Sequence, residues 1–314
     1  MNKKKTLDII NKQRIIIIAA ILFVILSAAS KSFFSYENIM NILMQMSIEG
    51  IVAIGMTLLM LQSEIDLSVG YNIALVGTII MLLQKYNLPL AIVCGIIVGT
   101  LIGVINGLIV TRFNISSIPI TLGMMIALNG VVLWLTNSQT IRGEIEKFLV
   151  LGNGIFYTIP YPVIIFIVLL ITFFIIVGKT FYGRNLYAVG GNPVASKFFG
   201  INVKRIKLIS FVISAFLTSI AGIILASRLN IASAIIGKNI PISVITAVLL
   251  GGTSIWGGEG GITKTFQGLL LLGIIANGLR MVQAPVTWSD TIKGLLLILV
   301  VSLDSYYVKT AKFR

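Results

Sequence analysis

The stretch "YGRNLYAVGGNPVASKFFGINVKRIK" (182–207) is the longest polar interruption in a chain made mostly of greasy runs. Its reading decides the fold. Even extended back to residue 179 it holds only about thirty residues, too few to bury a core of their own. No other gap between apolar runs is longer, so the 314 residues leave no room for an aqueous domain. Apolar residues make up 57%, charged residues 11%, and the mean hydropathy is +1.03, beyond what a soluble domain with a mixed surface reaches. The sequence reads as all-α and polytopic in a membrane.

Crossing the hydrocarbon takes roughly 20 apolar residues in a helix. Ten runs qualify, at about 14–32, 39–61, 67–84, 88–110, 118–136, 159–178, 208–226, 240–256, 265–282 and 291–307. The third, eighth and ninth are short and glycine-bearing. They are expected to be tilted, broken or shielded by neighbours, because lipid cannot satisfy an irregular backbone. With the N-terminus inside, 16 of the 24 basic residues fall on the cytoplasmic side, as the positive-inside rule requires. Both termini are then cytoplasmic, and the net charge of +14 is mainly a topological signal rather than a nucleic-acid footprint. Lys3 to Lys5, an apolar run and "SAAS" (27–30) resemble a cleavable leader; the segment is read as a retained first helix.

Several chemistries are excluded. Histidine is absent and Cys94 is the lone cysteine, which removes imidazole relays, intrachain disulfides and most zinc sites. No metal site and no cofactor is expected. "GGEGGITKT" (257–265) has the glycines and lysine of a phosphate loop in the wrong order. The chain has no nucleotide engine and no nucleophile with a base beside it.

Three acids stand in or beside spans, where an ionisable residue is a functional hypothesis by default. In "LQSEIDLSVG" (61–70), Glu64 and Asp66 are expected at the cytoplasmic end of the second span, within reach of water. Asp66 precedes a helix-like run and is placed to cap its free N–H groups. Glu49 lies deep in the second span. It is a candidate pathway group, or the partner of a basic residue on another span.

Small residues in "GIIVGTLIGVINGL" (95–108) suit close helix contact. "LLGGTSIWGGEGG" (249–261) packs six glycines around one reversal. "NGL" recurs at 106–108 and 277–279 in spans of opposite direction, a hint of inverted repeats. In the opening stretch Asn192 can cap, Pro193 fits the first helical position and Gly200 suits the stop. A two-turn helix follows, carrying Lys197, Phe198 and Phe199 into the water. It either lies in the headgroups or plugs into a cytoplasmic partner.

Five motifs then match in order: "AIGMTLLMLQSEIDLSVG" (53–70), "NGLIVTRFNISSIPITLGMM" (106–125), "GRNLYAVGGNPVASKFFGINVKRIK" (183–207), "AGIILASRL" (221–229) and "VLLGGTSIWGGEGGI" (248–262). From about residue 38 to 304 the chain resembles the permease subunit of ribose-type sugar importers of the ATP-binding-cassette superfamily. The resemblance implies a bacterial inner-membrane protein of the type II importer architecture. It implies one permease domain over 1–314, ten helices and a coupling loop at about 179–207. It also implies a second permease subunit, identical or not, a cytoplasmic ATPase and an extracytoplasmic solute-binding protein, with surrounding lipid and no enzymatic activity of its own.

Under this resemblance Asn192, Pro193, Ala195, Ser196, Lys197, Phe198, Phe199 and Gly200 form the helix that couples to the ATPase. Asp66, Leu67, Ser68 and Gly70, with Gly251, Gly252, Gly257 and Gly258, belong to structural signatures. Glu49, Asn106 and Asn277 remain pathway candidates. The implied function is import of a ribose-like monosaccharide by alternating access, with a nucleoside or another small polar cargo as the alternative. A rival is an ion-coupled secondary transporter using Glu49 as proton carrier. The chain departs from the pattern at Glu64, where glycine is usual, at Trp256, Glu259 and Arg280, and in "IPIS" (240–243).

Overall fold

A computed structural model describes residues 3–30 and 32–312. Lys31 and Arg314, both part of the charge count above, lie outside the described residues. The helices are α1 (Lys3–Ala29), α2 (Tyr36–Met60), α3 (Val69–Leu83), α4 (Leu88–Phe113), α5 (Ser117–Leu135), α6 (Val150–Asn153), α7 (Tyr161–Lys179), α8 (Phe181–Gly191), α9 (Pro193–Phe198), α10 (Val203–Leu229), α11 (Ile240–Leu250), α12 (Ile262–Met281) and α13 (Val286–Lys312). Each of the ten apolar runs contains one helix. Among the described residues, six helices are long and apolar enough to cross a membrane by length and composition, and three shorter apolar helical stretches lie at Ile15–Ala28, Val69–Leu83 and Ile240–Leu250. The protein is all-α and polytopic.

Local chemistry sets the helix ends. Ser35 and Asn87 accept from the N–H groups of Asn38 and Leu90, at 3.2 and 2.9 Å, and Asn202 accepts from Arg205 N–H at 3.0 Å. These are N-caps that satisfy donors no intrahelical carbonyl can reach. Asn114 and Asn230 close α4 and α10 in the left-handed region, both at φ 54°, which asparagine tolerates better than most residues.

The core is built on α2 and α10. Every residue of α2 from Gly50 to Met60 is buried, because α10, α7, α11 and α12 surround it. α10 packs most extensively on α4, and the contact follows a glycine stripe. A β-carbon at Gly99 would meet Ser219 and Val76, and one at Gly103 would meet Ala215 and Phe211. Small residues spaced by four thus let the two backbones approach, the membrane substitute for hydrophobic driving force. By contrast α5 keeps most of its surface uncovered.

Three expectations change in detail. The ninth run is not short: α12 has 20 residues, because the helix resumes directly after Gly261. The eighth is shorter than its apolar run, since α11 stops at Leu250 where the glycine turn begins. The polar stretch 182–207 holds two helices rather than one, with α8 capped by Thr180 accepting from Gly183 N–H at 3.3 Å.

Contacts between links sort the bundle into two ends. At one end the loop 136–160 pairs its short strand β1 (Ile141–Arg142) with β4 (Ile231–Ala232), antiparallel, while β2 (Ile155–Phe156) and β3 (Ile159–Pro160) form a second pair within the loop. At the other end the links 61–68, 180–202 and 251–261 meet. The helices therefore alternate in direction.

Candidate functional site

A cavity of about 470 Å³ opens among α2, α10, α11, α12, α13 and the link before α11. It lies at the end that carries the β1–β4 pair, which the charge count places outside. Its charged walls are Glu49, Arg228, Lys238, Arg280, Asp290 and Lys293. Glu49 forms an ion pair with Lys293 of α13 at 3.8 Å, and Lys293 also donates to the Ser243 hydroxyl at 2.8 Å. Arg280 donates to Gln45 of α2 and, through Nε, to the Ala276 carbonyl at 3.2 Å. Asn239 donates to the Asp290 carboxylate at 3.1 Å. Fixed donors and acceptors thus alternate on an otherwise apolar wall, the chemistry that orients a small polar solute.

Of the three pathway candidates, only Glu49 lines this cavity. Asn106 is fully buried and donates to the Ser68 hydroxyl at 3.0 Å. Asn277 exchanges amide bonds with Asn38, at 2.8 and 3.1 Å, across α12 and α2. That reciprocal pair stitches two helices at a buried contact. Asn277→Ala is expected to cost about 1–3 kcal/mol, because the buried Asn38 side-chain oxygen loses its donor, while its amide nitrogen keeps the Phe33 carbonyl at 2.8 Å. Thermal unfolding in detergent measures it, and Asn38→Leu/Asn277→Leu should be the milder change.

Glu64 and Asp66 sit differently from the expectation that water reaches them. They are buried, at 6% and 2% exposure. The reason is the path of the α2–α3 link, which runs along the start of α5: Ile65 N–H donates to the Ser117 hydroxyl at 2.9 Å and Leu67 N–H to the Thr121 hydroxyl at 3.1 Å. Glu64 pairs there with Lys207 of α10. Asp66 accepts from the Ser68 amide and hydroxyl, at 2.8 and 2.6 Å; it bonds the residue that precedes α3 and does not cap the helix's free first-turn amides as expected. The Ser68 hydroxyl in turn receives Asn106, so three residues from two of the matched motifs form one buried network.

At this end, opposite the β1–β4 pair, the motifs 183–207 and 248–262 meet the first one. Gly258 N–H donates to the Leu61 carbonyl at 3.0 Å, and the Ser63 hydroxyl donates to the Trp256 carbonyl at 2.5 Å. Tyr187 of α8 donates to the Gly260 carbonyl at 3.1 Å. Gly257 and Gly258 adopt φ of 80° and 76°, which only glycine takes without strain. Asp304 of α13 accepts from Ser254 Oγ and Ile255 N–H, at 3.0 and 3.2 Å, and holds the turn from below. Tyr182 of α8 shares a hydrogen bond with Ser210 at 2.7 Å, and burial pushes its phenol up to about 12, so it stays neutral.

Beyond this contact α9 projects into open space. Asn192 accepts from the Val194 and Ala195 amides at 3.0 and 2.9 Å. The other end closes with Gly200 N–H to the Lys197 carbonyl and Ile201 N–H to the Ser196 carbonyl, both 3.0 Å, with Gly200 at φ 79°. This is a Schellman stop. The short helix is fixed at both ends while Phe198 and Phe199 remain 87% and 85% exposed.

Lys293, Gln45 and Asp290 join the site only in the fold. Lys293 carried a signal, as a lone cation inside an apolar run of the tenth span. Gln45 and Asp290 carried none, since only folding brings them to one wall.

The family described as "branched-chain amino acid transport system / permease component" matches residues 38–301. The ribose import permease protein of Haemophilus influenzae is 36% identical over 301 residues, covering 94% of this chain and 93% of that protein. The L-arabinose ABC transporter permease of Azospirillum brasilense is 31% identical, covering 95% and 89%. The xylose transport system permease of Escherichia coli is 29% identical, covering 94% and 92%. No solved structure matches the chain.

Proposed function

This chain belongs to the branched-chain amino acid transport system / permease component family, and on that premise we propose that it imports a ribose-like monosaccharide as the membrane subunit of an ATP-driven transporter. The observation that carries the reading is the end-to-end similarity to permeases named for ribose, arabinose and xylose. A chain without a phosphate-binding loop needs its energy from a separate ATPase. The doubly capped α9, with Phe198 and Phe199 bare on the basic side, supplies the surface such a partner would grip.

In this reading a second permease subunit completes the path, and an extracytoplasmic binding protein delivers solute to the end that holds the 470 Å³ cavity. Both chain termini lie in the cytoplasm. ATP binding moves the ATPase, α9 passes the movement to α8 and α10, and the path exchanges the side it faces. Glu49 with Lys293 forms a polar wall of that path. Glu49, which the ion-coupled alternative would use as its carrier, is engaged by Lys293 at 3.8 Å.

The test is copurification and uptake. The chain expressed with its cognate ATPase and binding protein is expected to hold the ATPase through detergent extraction. Vesicles should then take up D-ribose, or a pentose that competes with it, only when ATP is supplied. Uptake that persists without ATP and collapses with an ionophore would reverse the assignment.

A further inference from the structure

The 470 Å³ cavity at the β1–β4 end carries a charge imbalance that a neutral sugar leaves unanswered. Arg228 of α10, Lys238 before α11, Arg280 of α12 and Lys293 of α13 line it, against two carboxylates, Glu49 and Asp290. Four cations facing two carboxylates leave a surplus of positive charge. Glu49 pairs with Lys293 at 3.8 Å and lies within Coulombic reach of Arg280, so one carboxylate serves two cations. Asp290 is held by Asn239 at 3.1 Å. Arg228 and Lys238 have no ion-pair partner among the described residues.

Both arginines are anchored. Arg280 spends Nε on the Ala276 carbonyl at 3.2 Å and one terminal nitrogen on Gln45, while its Nη1 has no acceptor among the described residues. The backbone of Arg228 is gripped by α6: Gly152 N–H donates to the Ser227 hydroxyl at 2.8 Å, the Asn153 amide donates to the Arg228 carbonyl at 3.2 Å, and a β-carbon at Gly152 would strike the Arg228 backbone. The Arg228 side chain is half-buried and near enough to Arg280 for the two to repel. Like charges held close in a partly desolvated hollow cost energy until an anion answers them. Guanidinium forks answer carboxylate and phosphate with paired hydrogen bonds. Two of the departures from the resembled pattern, Arg280 and the stretch 240–243, also fall here, since Arg280, Ile240 and Ser243 all line the cavity. The surplus charge thus stands where the chain parts from that pattern.

We propose that Arg228 and Arg280 hold the oxyanion of an acidic sugar, so that the importer favours a ribose-like monosaccharide bearing a carboxylate or a phosphate over its neutral parent. The inference rests on the reading of the chain as the membrane subunit of an ATP-driven sugar importer, and it narrows the cargo of that same site. Lys238, exposed in the link before α11, adds to the field that draws an anion in. Gln45, Asn239 and Ser243 supply amide and hydroxyl groups for the sugar ring.

The experiment uses the full chain in proteoliposomes with its cognate ATPase and binding protein, and measures ATP-driven uptake of labelled D-ribose, D-ribonate and D-ribose 5-phosphate. At least one of the two anions is expected to reach half-maximal uptake at about one-tenth the concentration that D-ribose needs, the scale of one charge-assisted hydrogen bond. Which anion does so separates a carboxylate from a phosphate. Arg280→Gln should raise the value for that anion about ten-fold and move the value for D-ribose far less, while Arg280→Lys, which keeps the charge, should recover part of the loss. Arg228→Gln should give the same shift, and serves where Arg280→Gln does not reconstitute. Arg142→Gln removes a charge from the same end outside the cavity and should behave like the parent. Since the binding protein is the same throughout, a shift confined to the anion belongs to this chain. Uptake of D-ribose at least as good as that of both anions, or equal shifts for anion and D-ribose in the glutamine variants, would overturn the inference and leave the importer reading standing. Absence of ATP-driven uptake of all three sugars would overturn the importer reading itself, and the inference with it.

Discussion

Phe198→Asp is expected to reduce ATP-dependent uptake by about 100-fold, the scale of losing a central aromatic anchor at an interface, while leaving the amount of protein in the membrane unchanged. The ring is 87% exposed in the isolated chain, so its removal takes nothing from the bundle. In the assembled transporter it would occupy an apolar socket, and a carboxylate there must either stay hydrated and hold the surfaces apart or be buried without a partner. Partner-stimulated ATP hydrolysis should fall with uptake. Gly200→Pro reaches the same end by another route, because φ 79° lies outside what proline adopts, and the Schellman stop that aims the rings is lost. Uptake that survives both changes would separate α9 from the ATPase. The comparison is clean because neither position touches the core.

What the sequence made legible follows from how local each signal is. The helices of the ten apolar runs are legible because each needs only its own run of apolar residues. α9 was visible because its cap, its proline and its stop occupy nine consecutive residues, 192–200. The resemblance sets five motifs in order, but order alone does not show where three of them, 53–70, 183–207 and 248–262, meet. That Leu61, Gly190 and Gly258 lie against one another is a matter of three links crossing, and no single link records it. The burial of Glu64 has the same origin. Read along the chain, Glu64 stands at the end of a span where water is expected; folded, it is covered by α5 and matched by a lysine 143 positions away. α8 is not legible in the sequence because glycines at 183, 190 and 191 argue against a helix. Two of them are there for close approach, to Val177 at one end and to Leu61 at the other.

That close approach makes adjacent glycines behave oppositely. A β-carbon at Gly190 would fall on the Leu61 carbonyl, with the Gly258 amide at 2.5 Å and the Leu61 carbonyl carbon at 2.9 Å. All of these are backbone atoms, which cannot rotate away as a side-chain tip does, so the strain passes into the α2–α3 link and the glycine turn together. Gly191 has nothing within 4 Å of the corresponding position. Gly190→Val is therefore expected to destabilise the protein by about 3 kcal/mol, at the upper end of overpacking costs, and to separate α8 from Leu61 and Gly258. Gly191→Ala should be neutral or stabilising by up to about 1 kcal/mol, since alanine restricts the unfolded chain more than glycine does. Thermal unfolding of the two variants in the same detergent reads the contrast directly. Under the proposed coupling through α9, transport should follow it, because α8 would carry a push on α9 to the α2–α3 link, and a gap at Gly190 would leave that push without a surface to act on. Equal stability of the two variants would mean that the three links do not meet as described, and the route from α9 into the bundle would then have to run through α10 alone.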